Sequence, residues 1–211
     1  MLISHKYHFI FIHIYKNAGT SIRAALLPFS VYNRAHLTAV KMANRFKLHL
    51  PAGLDPHPMA GHVQAQKVIN ALGQEKFDSY FSFAIVRNPW DWQVSLYNFP
   101  LIRPGHHQNK FIKQFANFED YLRWRCAEEV RYQKDFVFSP EGRQLVKFIG
   151  RYENLDADFA EICARIGIQA SLPMLKVSKT RPYQEYYTKE TIDLVRRAFA
   201  PDIELFGYNF G

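Results

Sequence analysis

The sequence predicts an α/β fold in three layers, a central and mainly parallel sheet with helices packed on both faces. Three observations predict it. Tyr7, His8, Phe9, Ile10, Phe11 and Ile12 form a short run rich in aromatic and β-branched residues, and after a turn the helix-forming stretch 20–27 follows. The same order returns at 80–87, apolar almost to its end at Arg87, with Pro89 placed where a helix over 90–98 would start. Neither run alternates polar with apolar residues, so both strands require cover on both faces, as strands of a parallel sheet do. Ligands of such sheets lie at the carboxyl ends of the strands, where Lys16 and Arg87 fall.

Composition sets the frame for these elements. A chain of 211 residues with 48% hydrophobic content fills one sizeable core, so a single domain over 1–211 is expected. No segment nears the roughly 20 continuous apolar residues of a membrane span. The N-terminal run holds His8 and His13, has no small-residue cleavage site and flows into a lysine turn. It therefore reads as a core strand rather than a signal peptide, and a cytoplasmic protein is expected. Lys and Arg outnumber Asp and Glu by 27 to 19, which favours an anionic ligand. Basic residues are scattered rather than clustered, so a small polyanion accounts for them without nucleic acid. Cys126 and Cys163 lie in helical contexts without metal-ligand spacing, which suggests free thiols in a reducing compartment, a single disulfide being the alternative.

Beyond the first helix, 35–50 reads as helical and 50–58, with three prolines, as a rigid loop delivering Gly61, His62 and Val63. A short helix over 64–72 ends at Gly73, in the position of a C-cap. After the second strand and its helix, 100–109 reads as a loop containing Arg103, His106 and His107, and Asn117 caps the next helix. A third strand is expected over 145–152 and an amphipathic helix over 153–166, stopped by Gly167. A basic loop over 171–183 precedes the last helix, 188–200. Thr188 caps that helix, and Thr191 rather than Glu three residues on predicts half a capping box.

The turn after the first strand carries the chemistry. Lys16, Asn17, Ala18, Gly19, Thr20 and Ser21 combine a lysine, small residues, a glycine that permits close backbone approach, two hydroxyls and the unsatisfied N–H groups of a helix start. All of these are donors for a phosphate or sulfate. The order differs from that of nucleoside-triphosphate loops, whose lysine immediately precedes the Ser/Thr; here Lys16 stands three residues before Gly19. With this order the turn resembles the 5′-phosphosulfate loop of sulfotransferases that use 3′-phosphoadenosine 5′-phosphosulfate (PAPS), though that family usually has Pro where this chain has Tyr15. The resemblance implies a P-loop-like variant of the predicted fold.

Arg87, Asn88 and Pro89, with Ser95 eight residues after the arginine, form a second anchor suited to one phosphate. Their spacing resembles the 3′-phosphate site of the same family. Phe148 to Leu155, the tyrosines around 183–187 and the segment 202–210 are similar to its carbohydrate branch, which includes heparan sulfate sulfotransferases, so the resemblance spans nearly the whole chain. It implies a soluble enzyme of bacterial type. That enzyme would move a sulfuryl group from PAPS to a hydroxyl, releasing adenosine 3′,5′-bisphosphate, with a glycan or small molecule as acceptor and no metal.

By the same resemblance Lys16 offsets charge on the oxygen that leaves the sulfur, and His62 is the general base of a heparan sulfate 2-O-sulfotransferase-like site. The second histidine of that branch, two residues earlier, is Ala60 here. His57, His106 and His107 are other candidates for the base. Ser178, Lys179 and Thr180 of the basic loop would cover the 3′-phosphate and adenosine. Acceptor contacts would fall on 33–58 and 100–115, and nothing in the sequence fixes the oligomeric state. Two other functions fit parts of the pattern. A nucleotide or metabolite kinase shares the strand–loop–helix cradle but wants Gly-Lys-Ser/Thr order and a magnesium-binding Asp. A nucleic-acid-binding module fits the charge but predicts no preference for an adenosine bisphosphate.

Overall fold

A computed structural model of the chain describes residues 1–30, 61–173 and 181–211. The helix expected over 35–50, the proline loop, His57 and Ser178, Lys179 and Thr180 lie outside these residues. The chain divides into two compact units, Met1–Val86 with Phe136–Leu175, and Arg87–Asp135 with Lys176–Gly211.

The first unit holds the sheet, in the order β1 (Leu2–Ser4), β2 (Phe9–Ile12), β3 (Phe81–Val86), β4 (Phe148–Arg151). Strands β2 and β3 run parallel with Ile12 opposite Ala84, and β3 and β4 run parallel with Val86 opposite Arg151. The edge strand β1 pairs antiparallel to β2. Three residues carry too little pattern to announce a strand, so β1 was not predicted. Helix α1 (Gly19–Leu26) follows β2, while α2 (Ala65–Leu72) and α3 (Gln74–Ser79) precede β3, and α7 (Leu155–Arg165) follows β4. Phe9 and Phe11 of β2 and Phe83 and Ile85 of β3 form one core with Ile22 and Leu26 of α1 and Phe159 and Ile162 of α7. The alternate residues Ile10, Ile12, Ala84 and Val86 are also buried, so the sheet is covered on both faces, as its apolar strands require. The third strand is shorter than the expected 145–152: a 3₁₀ turn takes over at Tyr152.

The second unit is helical, with α4 (Pro89–Leu101), α5 (Asn109–Ile112), α6 (Phe118–Glu128), α8 (Lys189–Ala198) and α9 (Ala200–Phe206). Asn88 caps α4 by accepting from the Trp90 N–H, and Asn117 caps α6 by accepting from the Asp120 N–H. Trp90 and Trp92 are core residues. The Trp90 indole donates to the Ile192 carbonyl, and Trp92 meets Phe199 edge-on. Two local expectations are corrected. Helix α4 continues through Pro100, so the loop expected from that residue starts after Leu101. Pro100 costs α4 little at its last turn, and its carbonyl accepts from buried Asn109. The capping box at α8 is complete, because the Thr191 hydroxyl accepts from the Thr188 N–H at 2.8 Å as a glutamate would.

Candidate functional site

The lysine turn leaves β2 at the carboxyl edge of the parallel strands. The buried Asn17 side chain ties it down there, donating to the Ile85 carbonyl at 2.9 Å near the end of β3. Lys16 and Ala18 both adopt left-handed backbone, φ 66° and 56°, and Ala18 is followed directly by the right-handed first turn of α1. Left-handed backbone on non-glycine residues costs about 1 kcal/mol or more each and concentrates at ligand-binding turns. A left-handed residue entering a right-handed turn makes a nest of N–H groups that suits an anion. Helix α1 starts without a side-chain cap and with no acidic residue in its first turn, so the positive end of its dipole faces no carboxylate of its own. Thr20 is exposed and Ser21 half-buried beside it.

Gly19 serves a different purpose from the one its place in the turn suggests. A Cβ there would lie 1.7 Å from Nε2 of His13, so the space is filled by an imidazole rather than reserved for a ligand. The His13 ring, stacked on Phe11, lies 4.3 Å centroid to centroid from the ring of His62. Nδ1 of His62 is 3.0 Å from the His13 carbonyl oxygen. A carbonyl only accepts, so Nδ1 carries the hydrogen and Nε2 of the neutral ring holds the lone pair. Burial lowers the His62 pKa below its ordinary value, and the bond to the His13 carbonyl opposes that shift without reversing it. Burial, with the His62 charge second, pushes His13 down to about 2. Both rings are neutral at pH 7, and His62 presents a base. Tyr15, which stands where sulfotransferase loops carry proline, meets His62 edge-on at 5.6 Å and Phe136 at 5.8 Å, walling the imidazole.

In the second unit Arg87 donates through Nε to Asp91 Oδ2 at 2.7 Å, with the arginine side chain 12% exposed. Asp91 and Ser95 are four residues apart on α4 and share a face, so the guanidinium is held on the stripe that carries Ser95 one turn on. Trp90 and Pro89, buried beneath, fix the start of that helix. His106 and His107 belong to this unit, their rings 4.4 Å apart, with His106 edge-on to Phe99. Among the described residues there is no group of three or more metal-ligating side chains, and no helix is long and apolar enough to cross a membrane. Cys126 and Cys163 are free thiols, and burial raises Cys126 to about 11.

A sequence model of the sulfotransferase family matches residues 1–209. The chain belongs to the sulfotransferase family. An uncharacterized protein of Archaeoglobus fulgidus is 31% identical over 116 residues, covering 51% of this chain and 85% of that protein. In this sulfotransferase, sequence reasoning singled out the Lys16 turn, His62 and the Arg87–Ser95 pair as candidates; it did not single out His13 and Asp91, which the structure sets against His62 and Arg87, or Gln133, whose side chain bonds the Arg87 main chain. His13 was legible only as the polar residue that ends an apolar strand. Gln133 has no local signal at all.

Proposed function

We propose that this sulfotransferase uses PAPS as donor and the hydroxyl of an acceptor, a carbohydrate, as substrate. The observation that supports it most directly is the turn itself: two left-handed residues leading into an uncapped helix start, with a neutral imidazole held beside it by the His13 carbonyl. This donor set fits a phosphosulfate, a divided anion with many acceptor oxygens and no need of a metal partner. When bound, PAPS supplies the activated sulfuryl group. Lys16 offsets negative charge on the bridging oxygen as the sulfur–oxygen bond breaks, and the helix start holds the 5′ end in line. Nε2 of His62 takes the proton of the acceptor hydroxyl as its oxygen bonds to sulfur. Arg87 and Ser95 read the 3′-phosphate. The acceptor contacts are assigned to the variable stretches 33–58 and 100–115.

Thermal-shift and calorimetric titration with adenosine 3′,5′-bisphosphate, adenosine 5′-phosphate, ATP with magnesium, and oligonucleotides test the donor. The bisphosphate binds most tightly, and Arg87→Ala weakens it roughly tenfold to a hundredfold while leaving the 5′-phosphate nearly unchanged, as the loss of a charge-assisted bond of ~1.5–3 kcal/mol requires. Stabilisation by ATP with magnesium alone would move the reading to a kinase. Salt-sensitive oligonucleotide binding without bisphosphate preference would move it to a nucleic-acid module. The base has its own test. Turnover falls on the acid side of a limb below about pH 6.5, the ordinary histidine value, and the limb disappears in His62→Ala while bisphosphate affinity persists. An unchanged limb in that variant excludes His62 as the base.

A further inference from the structure

We infer that Gln133 is a positioning residue for the donor's 3′-phosphate, because its carboxamide brackets both main-chain groups of Arg87. Gln133 is fully buried. Its Oε1 accepts from the Arg87 N–H at 2.9 Å, and its Nε2 donates to the Arg87 carbonyl at 2.8 Å. This pair of bonds reproduces a strand rung at the residue that follows the last rung of β3. A β ladder would supply those partners from a neighbouring strand; here one side chain supplies both and fixes the peptide from which the guanidinium departs.

The bracket is itself anchored. The Gln133 N–H donates to Oδ2 of Asp202 at 2.7 Å and the Lys134 N–H to Oδ1 at 2.9 Å, and Asp202 is fully buried in the first turn of α9. On the other side, Asn88 donates from Nδ2 to the Asn209 carbonyl at 2.8 Å, holding the next residue of the same turn. The Arg87 backbone is thus held by Gln133 and its side chain by Asp91, while the side chain of the next residue, Asn88, is tied to Asn209. Every rotation that would swing the guanidinium away from the α4 face breaks at least one of these bonds. A preorganised arginine loses little freedom on taking a phosphate, which is how a residue that never touches the ligand adds affinity.

The inference rests on the reading that Arg87 takes the 3′-phosphate, and the experiment separates the two. Calorimetry of the intact protein compares adenosine 3′,5′-bisphosphate with adenosine 5′-phosphate for wild type, Gln133→Met, which keeps the volume and loses both bonds, and Gln133→Asn, which withdraws the amide by one methylene. Circular dichroism checks folding first. In a folded variant the bisphosphate weakens roughly five- to tenfold and the 5′-phosphate by less than about twofold, so the preference collapses. A folded variant that keeps the wild-type preference, or weakens both nucleotides equally, overturns the assignment of Gln133 while leaving Arg87 in place. A wild type without any preference overturns both. If neither variant folds, Gln133 belongs to the framework alone and the inference fails.

Discussion

At the scale of single residues the candidate site combines neutral imidazoles with one lysine in a left-handed conformation. Lys16→Ala keeps the backbone penalty of a non-glycine residue at φ 66° while removing the amine with its aliphatic stem. Turnover at saturating donor is expected to fall about a hundredfold or more, the scale of losing one preorganised donor to the transition state, with the unfolding midpoint nearly unchanged. Retention of near-normal turnover removes Lys16 from the mechanism. Two titratable groups also make opposite predictions for stability. His13, held near 2 when folded and near 6.5 when unfolded, stays neutral in the fold, so its contribution is full above pH 6.5 and is lost on acidification by up to about 1.4 kcal/mol per unit. Asp202 is raised to about 6, chiefly by burial against the pull of two N–H donors. Its contribution is full below about 4 and is lost as pH rises through 6, up to roughly 3 kcal/mol in all. Between pH 4 and 6 the two slopes offset each other in wild type. Urea unfolding from pH 4 to 8 therefore shows a steeper acid loss in Asp202→Asn than in wild type, and a shallower one in His13→Gln. Superimposable slopes in all three proteins would rule out both assignments.

At the scale of elements the junction of β2 with α1 depends on an interlock rather than on either element's propensity. Gly19 admits the His13 imidazole, and His13 in turn carries the carbonyl that orients His62. Gly19→Ala is expected to destabilise by roughly 1–3 kcal/mol through overpacking, although alanine is the better helix former. In a His13→Ala background the same substitution has room, so a double-mutant cycle measured by urea unfolding yields coupling of at least about 1 kcal/mol. Additive losses would show that the ring and the glycine are independent. Element prediction from sequence succeeded where side chains state their own role: the aromatic strands β2 and β3, Pro89 opening α4, Asn117 capping α6, and Gly73 and Gly167, whose φ of 87° and 67° end helices. It failed at β1 and at the second, short helix α9, where a few residues take their conformation from what they pack against.

At the scale of the whole molecule the +8 charge and the donor turn point to the same class of ligand, a compact polyanion. Adenosine 3′,5′-bisphosphate at a hundredfold excess over its Kd adds about 2.7 kcal/mol to the state that binds it, which for a chain of this size raises the unfolding temperature by roughly 5–10 °C. The same concentration of adenosine 5′-phosphate raises it much less; equal shifts would count against a 3′-phosphate site. The sequence by itself determined the buried parallel strands, the lysine turn with its small donor residues, the Arg87–Ser95 spacing and the family they belong to, because each is written in neighbouring residues. Tertiary structure alone decided which histidine nitrogen holds the lone pair, what fills the space at Gly19 and what holds the Arg87 peptide. The first and the last of these join residues 49, 46 and 69 positions apart, from His62 to His13, Gln133 to Arg87 and Gln133 to Asp202, and the second depends on which way the His13 ring turns. Local pattern has no means of expressing them, since a glutamine in a loop looks the same before the chain folds whether or not an arginine peptide will arrive beside it.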